Sequence, residues 1–279
     1  MTDMRFEGRV ALVTGAARRR GIGRATAMRL AAEGADVACL DIARLYDDAP
    51  AHGMGSEDEL AEVVADIEAL GRKAVAVRAD ISDGAQVEAA VAAATTALGT
   101  ITVLANVAGG SGPGFGLGPL VTLPEAEFRK VVDVNLTGTW LVSKAVASRM
   151  LAAGVGGSIC SVSSQAGKRG FPMLGVYCAA KAGVILMTQA MAAELGPAGI
   201  TVNAVCPGTV DTDLINPSGM FEAMLDAGPG SKKWIAENIP LNRLQSAEDV
   251  AAALCFLLSP DGGYITGEAL NTSGGQTMI

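Results

Sequence analysis

Short β-branched runs alternate with longer helical patterns along almost the whole of this chain. Strands are expected at Val10–Thr14, Asp36–Asp41, Ala74–Arg78, Ile101–Asn106, Ser158–Val162, Ile200–Cys206 and Ala269–Asn271. Helices are expected at Gly23–Glu33, Glu57–Leu70, from an Asp83 cap to Leu98, and over Pro124–Ala153, Tyr177–Leu195 and Ala247–Leu258. Alternation of this kind implies right-handed βαβ units and a parallel sheet with helices on both faces. No linker divides the chain, so residues 1–279 read as a single α/β domain. Two segments break the rhythm, Ala43–Ser56 after the second strand and about Asp213–Pro240 after the sixth. Long irregular insertions in compact domains are usually functional loops. Both fall at the carboxyl ends of strands, where open α/β sheets bind ligands.

The first strand runs into Thr14-Gly15-Ala16-Ala17-Arg18-Arg19-Arg20-Gly21-Ile22-Gly23 and then into a helix. Small residues let a backbone approach a pyrophosphate, and the helix N-terminus favours its charge. An ordinary βα turn is the plainer reading of the glycines alone. Asp41 ends the second strand, where a carboxylate accepts from adenosine ribose hydroxyls and repels a 2′-phosphate. That favours NAD over NADP. The run Arg18–Arg20 is either a solvated surface turn or a source of one phosphate contact.

Tyr177 and Lys181 lie four residues apart in a helical pattern, hence on one face. Of three tyrosines only this one has such a lysine, since Tyr46 has Pro50 and Tyr264 has Glu268 at that spacing. A neighbouring ammonium is expected to lower the phenol pKa and make it a usable acid/base. Ser164, in the turn after the fifth strand, can hydrogen-bond a carbonyl oxygen, though serine is common in turns. Asn135 sits inside an expected helix, where asparagine is a poor choice. Either a hydration site that kinks the helix or a buried structural amide accounts for it. Asn106 ends the fourth strand, beside a possible cofactor face.

The formal net charge of −8 argues against nucleic acid and anionic lipid as partners. The five cysteines are scattered and mostly in apolar runs, as reduced core thiols are. Residues 1–10 carry Asp3, Arg5, Glu7 and Arg9 and no apolar run, so no secretory signal is expected. The uncharged stretches Ile101–Pro124 and Leu195–Val210 are cut by Gly and Pro, and neither reads as a membrane span. A cytoplasmic location follows as an expectation. His52 is the only histidine and lies in an insertion, so neither a metal site nor a histidine triad is expected.

At these residues the chain resembles the short-chain dehydrogenase/reductase family, from about Arg9 to Gly275. The specific part is Ser164, Tyr177 and Lys181 in order, with Asn135 upstream. Supporting matches are Asp80, Asn106-Val107-Ala108-Gly109, Pro207-Gly208-Thr209-Val210-Asp211-Thr212, and Ile265-Thr266-Gly267 before Gly274-Gly275. The resemblance implies a doubly wound Rossmann sheet of seven parallel strands, assembled as a homotetramer. It implies Tyr177 as acid/base, Ser164 orienting the carbonyl, Lys181 lowering the tyrosine pKa and holding the nicotinamide ribose, and Asn135 holding a relay water. It further implies that Gly15, Arg20, Gly21, Ile22 and Gly23 meet the pyrophosphate side, and that Asp41, Ile42, Asp80 and Ile81 border the adenosine. Asn106, Ala108 and Gly109 would face the cofactor, and Pro207, Gly208, Thr209, Val210 and Thr212 the nicotinamide.

Two departures stand out. Five residues separate Gly15 from Gly21 where the family has three, and Asn106-Val107 replaces a pair of asparagines. The insertion Ala43–Ser56 resembles NAD-preferring members similar to carveol dehydrogenase. The implied reaction is hydride transfer between NAD(H) and a secondary alcohol or its ketone. Leu214, Ile215, Met220, Phe221, Met224, Leu225 and Trp234, with Phe115 and Leu117, suit a mostly apolar cyclic or aryl substrate, or else a lid core or subunit contact. Glu222 and Asp226 suit an amine or a solvated helix face. Two rivals remain: an NADPH-dependent 3-oxoacyl carrier protein reductase, and a catalytically silent dinucleotide-binding sensor.

Overall fold

The structure is a computed structural model that describes residues 4–44, 55–213 and 230–279. Its strands are β1 (Val10–Thr14), β2 (Asp36–Asp41), β3 (Ala74–Arg78), β4 (Val103–Asn106), β5 (Gly157–Val162), β6 (Ile200–Pro207) and β7 (Ala269–Thr272). They form one parallel sheet in the order β3-β2-β1-β4-β5-β6-β7. The order reverses between β1 and β4, the switch point at which such sheets open a crevice.

The helices are α1 (Ile22–Ala32), α2 (Glu57–Ala69), α3 (Gly84–Leu98), α4 (Glu125–Val132), α5 (Gly138–Ala153), α6 (Gly175–Leu195), α7 (Lys232–Asn238) and α8 (Ala247–Leu258). They cover both faces, and the strands show why. Along β1 and β2, Leu12, Ala38 and Leu40 enter one core with residues of α3 and α5. Ala11, Val13, Val37 and Cys39 enter the other with residues of α1, α2 and α8. Side chains alternate across a strand, so a strand apolar at every position is buried on both sides. Caps set the helix starts. Asp83 accepts from Ala85 N and Gln86 N, and Ser56 with Glu59 closes a capping box, each worth about 1 kcal/mol.

Three expectations need correction. The helix expected over Pro124–Ala153 is α4 and α5 joined by a π-helical turn, Asp133–Thr137. The fourth strand begins at Val103, not Ile101. The insertion after β6 is not wholly irregular, because Ser231 accepts from Trp234 N and starts α7. In the other direction, Gly175–Ala198 is long and apolar enough to cross a membrane by length and composition. It also buries Lys181 and packs on β6, which suits a core helix. Tyr46, His52, Leu214, Ile215, Met220, Phe221, Glu222, Met224, Leu225 and Asp226 lie outside the described residues.

Candidate active site

A cleft opens beyond the carboxyl ends of β1 to β4. The Gly-rich turn forms its floor. Gly15 has φ +70°, and a Cβ on Gly23 would stand 2.0 Å from Gly15 O. No side chain fits there, so the turn lies directly on the start of α1. Gly21 caps α1 without a side-chain hydrogen bond, which leaves the positive end of the helix facing the cleft. This cradle fits a pyrophosphate.

Gly15, Gly21, Ile22, Gly23, Asp41, Ile42, Asp80, Ile81, Ala108, Gly109 and Thr212 all line the cleft. Asp41 is buried, and its two oxygens accept from Ala17 N and Ala43 N at 3.0 Å each. It therefore clasps the turn as well as facing the adenosine end. Asp80 Oδ1 accepts from Ser82 N and Ser82 Oγ at 3.0 and 2.6 Å.

The three arginines part company. Arg20 donates to Asp211 Oδ1 at 2.6 Å and approaches Asp213 Oδ1 at 3.6 Å. Arg19 pairs with Glu62 on the surface. Arg18 is the one that lines the cleft, half-buried, where desolvation lowers its pKa and Asp41 opposes that shift. The Arg20 guanidinium ties the turn to the loop after β6. The sequence holds no signal that separates these neighbours, since their partners come from distant elements.

Asn106 is held within the protein by its amide nitrogen. Its Nδ2 donates to Ser143 Oγ at 2.8 Å and Ser161 Oγ at 3.3 Å, below the cleft wall. The backbone beyond it is held by Thr14, whose hydroxyl accepts from Val107 N and Ala108 N at 2.9 and 3.0 Å. After β6, Pro207 closes the strand and Gly208 N donates to Gln245 Oε1 at 3.2 Å. Val210 is buried and bridges to Gln245. Thr209 N and Oγ1 donate to Gln276 at 3.0 and 3.3 Å, so Thr209 turns away from the cleft. Only Thr212 of this run lines it. Leu40, Gly55, Ala79 and Val134 are wall residues that sequence reasoning missed. Phe115 is buried on that wall as well, whereas Leu117 is exposed.

The four polar residues converge at the end of β5. Ser164 follows that strand, caps a short 3₁₀ turn by accepting from Ala166 N at 3.1 Å, and stands close enough to Tyr177 to draw its pKa down. Lys181 is buried one turn along α6, and Nζ donates to Val162 O at 2.8 Å. Nζ lies 5.6 Å from the Tyr177 ring centroid. The π-helical turn brings in Asn135, whose Nδ2 donates to Gly110 O at 2.9 Å and Val131 O at 3.0 Å. Of its two readings, the buried structural amide is the one the geometry displays.

Burial pushes the Tyr177 phenol up to about 12, against a smaller downward pull from Ser164. Burial also draws the Lys181 ammonium down to about 8. The expected lowering of the phenol by its lysine is thus corrected for the chain's own groups. Desolvation disfavours both charged forms and is the largest cause of each shift.

Residues 15–277 match the family model described as enoyl-(acyl carrier protein) reductase. (−)-trans-Carveol dehydrogenase of Rhodococcus erythropolis is 37% identical, over 98% of this chain and 99% of its own. Galactitol 2-dehydrogenase of Agrobacterium fabrum is 36% identical over 99% of this chain and 100% of its own. The crystal structure of carveol dehydrogenase from Mycobacterium avium in complex with NAD superposes with a TM-score of 0.87 at 34% identity, covering 98% of each chain. The chain belongs to the short-chain dehydrogenase/reductase family. It is an oxidoreductase that moves a hydride between NAD(H) and a secondary alcohol or its ketone.

Proposed function

We propose that Tyr177 is the acid/base of this reaction, with Ser164, Lys181 and Asn135 in support. The observation that carries the proposal is the placing of Ser164 close enough to the Tyr177 phenol to draw its pKa down, with buried Lys181 one helical turn along and a glycine cradle shaped for a dinucleotide alongside. The nicotinamide, when bound, supplies the hydride acceptor and a positive charge that favours phenolate. In oxidation Tyr177 accepts the hydroxyl proton while Ser164 holds the oxygen that becomes the carbonyl. Lys181, fixed by Val162 O, steadies the phenolate. Asn135 fixes Gly110 and with it the backbone under the cofactor.

Asp41 supports a preference for NAD over NADP, because a 2′-phosphate would meet a buried carboxylate. Residues 1–279 act as one dinucleotide-binding domain, with about 213–240 as the substrate loop. Phe115 and Val134 on the cleft wall support a mostly apolar cyclic or aryl substrate. We place the enzyme in the cytoplasm, in keeping with five free cysteines, as a homotetramer.

The test is a panel of carveol, cyclohexanol, 1-phenylethanol and galactitol with NAD and then NADP, followed by dinucleotide reduction. NAD-linked turnover of the cyclic or aryl alcohols is expected. Preference for NADP, or for galactitol, overturns the cofactor or the substrate assignment respectively. No turnover of any alcohol, with NADH still bound, returns the sensor reading.

A further inference from the structure

Three stretches of chain that flank the cleft are tied to a short segment that does not line it, Ser273–Thr277. The Gln276 carboxamide oxygen accepts from Thr209 N at 3.0 Å and Thr209 Oγ1 at 3.3 Å. That fixes the chain three residues before Thr212. The Thr277 hydroxyl donates to Gln165 Oε1 at 3.0 Å, and both residues are buried. Gln165 directly follows Ser164. Leu241 N donates to Gly274 O at 3.1 Å, so the return of the segment after β6 is seated on the same residues.

The segment is closed on itself. Ser273 Oγ donates to Thr277 O and accepts from Thr277 N, each at 3.0 Å. None of these bonds completes the sheet, because β7 ends at Thr272. A buried hydroxyl and a carboxamide are costly to place without partners. Here every partner beyond the segment belongs to a stretch of chain that borders the site.

We infer that Gln276 and Thr277 are positioning residues, which hold the Thr212 and Ser164 sides of the cleft in register through Thr209 and Gln165. The inference rests on the proposed function for its kinetic consequence, but not for its structural one. Thr277 sets the Ser164 turn, so its loss acts on the chemical step. Gln276 sets the loop after β6, so its loss acts on dinucleotide binding.

Four variants test this. Thr277→Val keeps the shape and removes the donor, and Thr277→Ser keeps the donor. Gln276→Leu removes the acceptor, and Gln276→Glu keeps one. Thr277→Val should lower kcat for the best alcohol of the panel by roughly tenfold with little change in KM, and Thr277→Ser should recover most of it. Gln276→Leu should weaken NADH binding by roughly tenfold, and Gln276→Glu should restore it. Hydrogen exchange on the protein alone should show lost protection at Gly167 in Thr277→Val and at Thr209 in Gln276→Leu. Unchanged exchange at those amides overturns the inference whatever the activity. Equal loss of kcat in Thr277→Val and Thr277→Ser also overturns it, because packing rather than the hydrogen bond would then be at work. A wild type that oxidises no alcohol overturns the proposed function instead, and exchange still decides the inference.

Discussion

Asn135 and Gly110 hold each other by two hydrogen bonds of 2.9 Å, one from Gly110 N to Oδ1 and one from Nδ2 to Gly110 O. The ring they close ties the π-helical turn to the loop that carries Ala108 and Gly109 into the cleft. A Cβ on Gly109 would stand 2.6 Å from that same Oδ1 and 3.3 Å from Lys181 Nζ. Asn135→Leu has a similar shape but strands both buried Gly110 groups without their partner. It should lower the urea unfolding free energy by about 2–4 kcal/mol and weaken NADH binding. Wild-type stability for this variant would remove the amide ring from the account.

Tyr177→Phe keeps the ring and loses the hydroxyl proposed to exchange the substrate proton. NADH titration should show near wild-type affinity, while turnover falls by roughly 10²–10⁴-fold. Near-normal kcat in this variant would remove Tyr177 from the acid/base role, however well the pocket binds cofactor.

Much of this was legible because its signals are local. β1, β2 and β3 have the expected limits, since each is an apolar run bounded by Gly, Asp or Arg. The Asp83 cap needs only its own next residues. The π-helical turn was not legible, because one extra residue per turn hardly disturbs a 3.6-residue pattern, and only the misfit of Asn135 pointed to it. Arg18 and Arg20 could not be told apart, because the choice is made by Asp211 and Asp213, nearly two hundred residues away. Asn106 and Thr209 stand at the expected strand ends, with their side chains bonded to Ser143, Ser161 and Gln276. A strand alternates regularly, whereas the chain that leaves it does not. Ser231 offered a cap signal for α7 that the irregular look of its insertion concealed.

Asp41 does two things that one substitution separates. Its carboxylate clasps Ala17 N and Ala43 N and places a negative charge near half-buried Arg18. Asp41→Asn removes the charge and keeps one acceptor oxygen. The ratio of NADH to NADPH affinity, read by fluorescence titration, should fall by roughly tenfold, about 1.4 kcal/mol. Asp41→Ala should relax the preference too, and should also destabilise the turn. An unchanged ratio in Asp41→Asn would show that the carboxylate acts only as a clasp.

Lys181 gives a pH dependence whose sign can be fixed in advance. Burial lowers its folded-state pKa from the ordinary 10.5 to about 8. Below about pH 8 both states carry the ammonium, and the folded state bears a desolvation cost of about 3 kcal/mol, from roughly 1.4 kcal/mol per pKa unit. Between about 8 and 10.5 the folded state has released the proton while the unfolded chain still holds it. The unfolded state then binds more protons, and stability from this group rises with pH. Tyr177, held up at about 12 against an ordinary 10, loses its contribution between about 10 and 12, as the lysine window closes. Lys181→Met removes the lysine contribution and leaves the tyrosine one. Its stability advantage over wild type in urea should therefore be greatest at neutral pH and shrink as the pH approaches ~10. A gap that stays constant or widens would mean that the ammonium is not desolvated, and that its hydrogen bond to Val162 O is made in a wetter site than the packing around α6 describes.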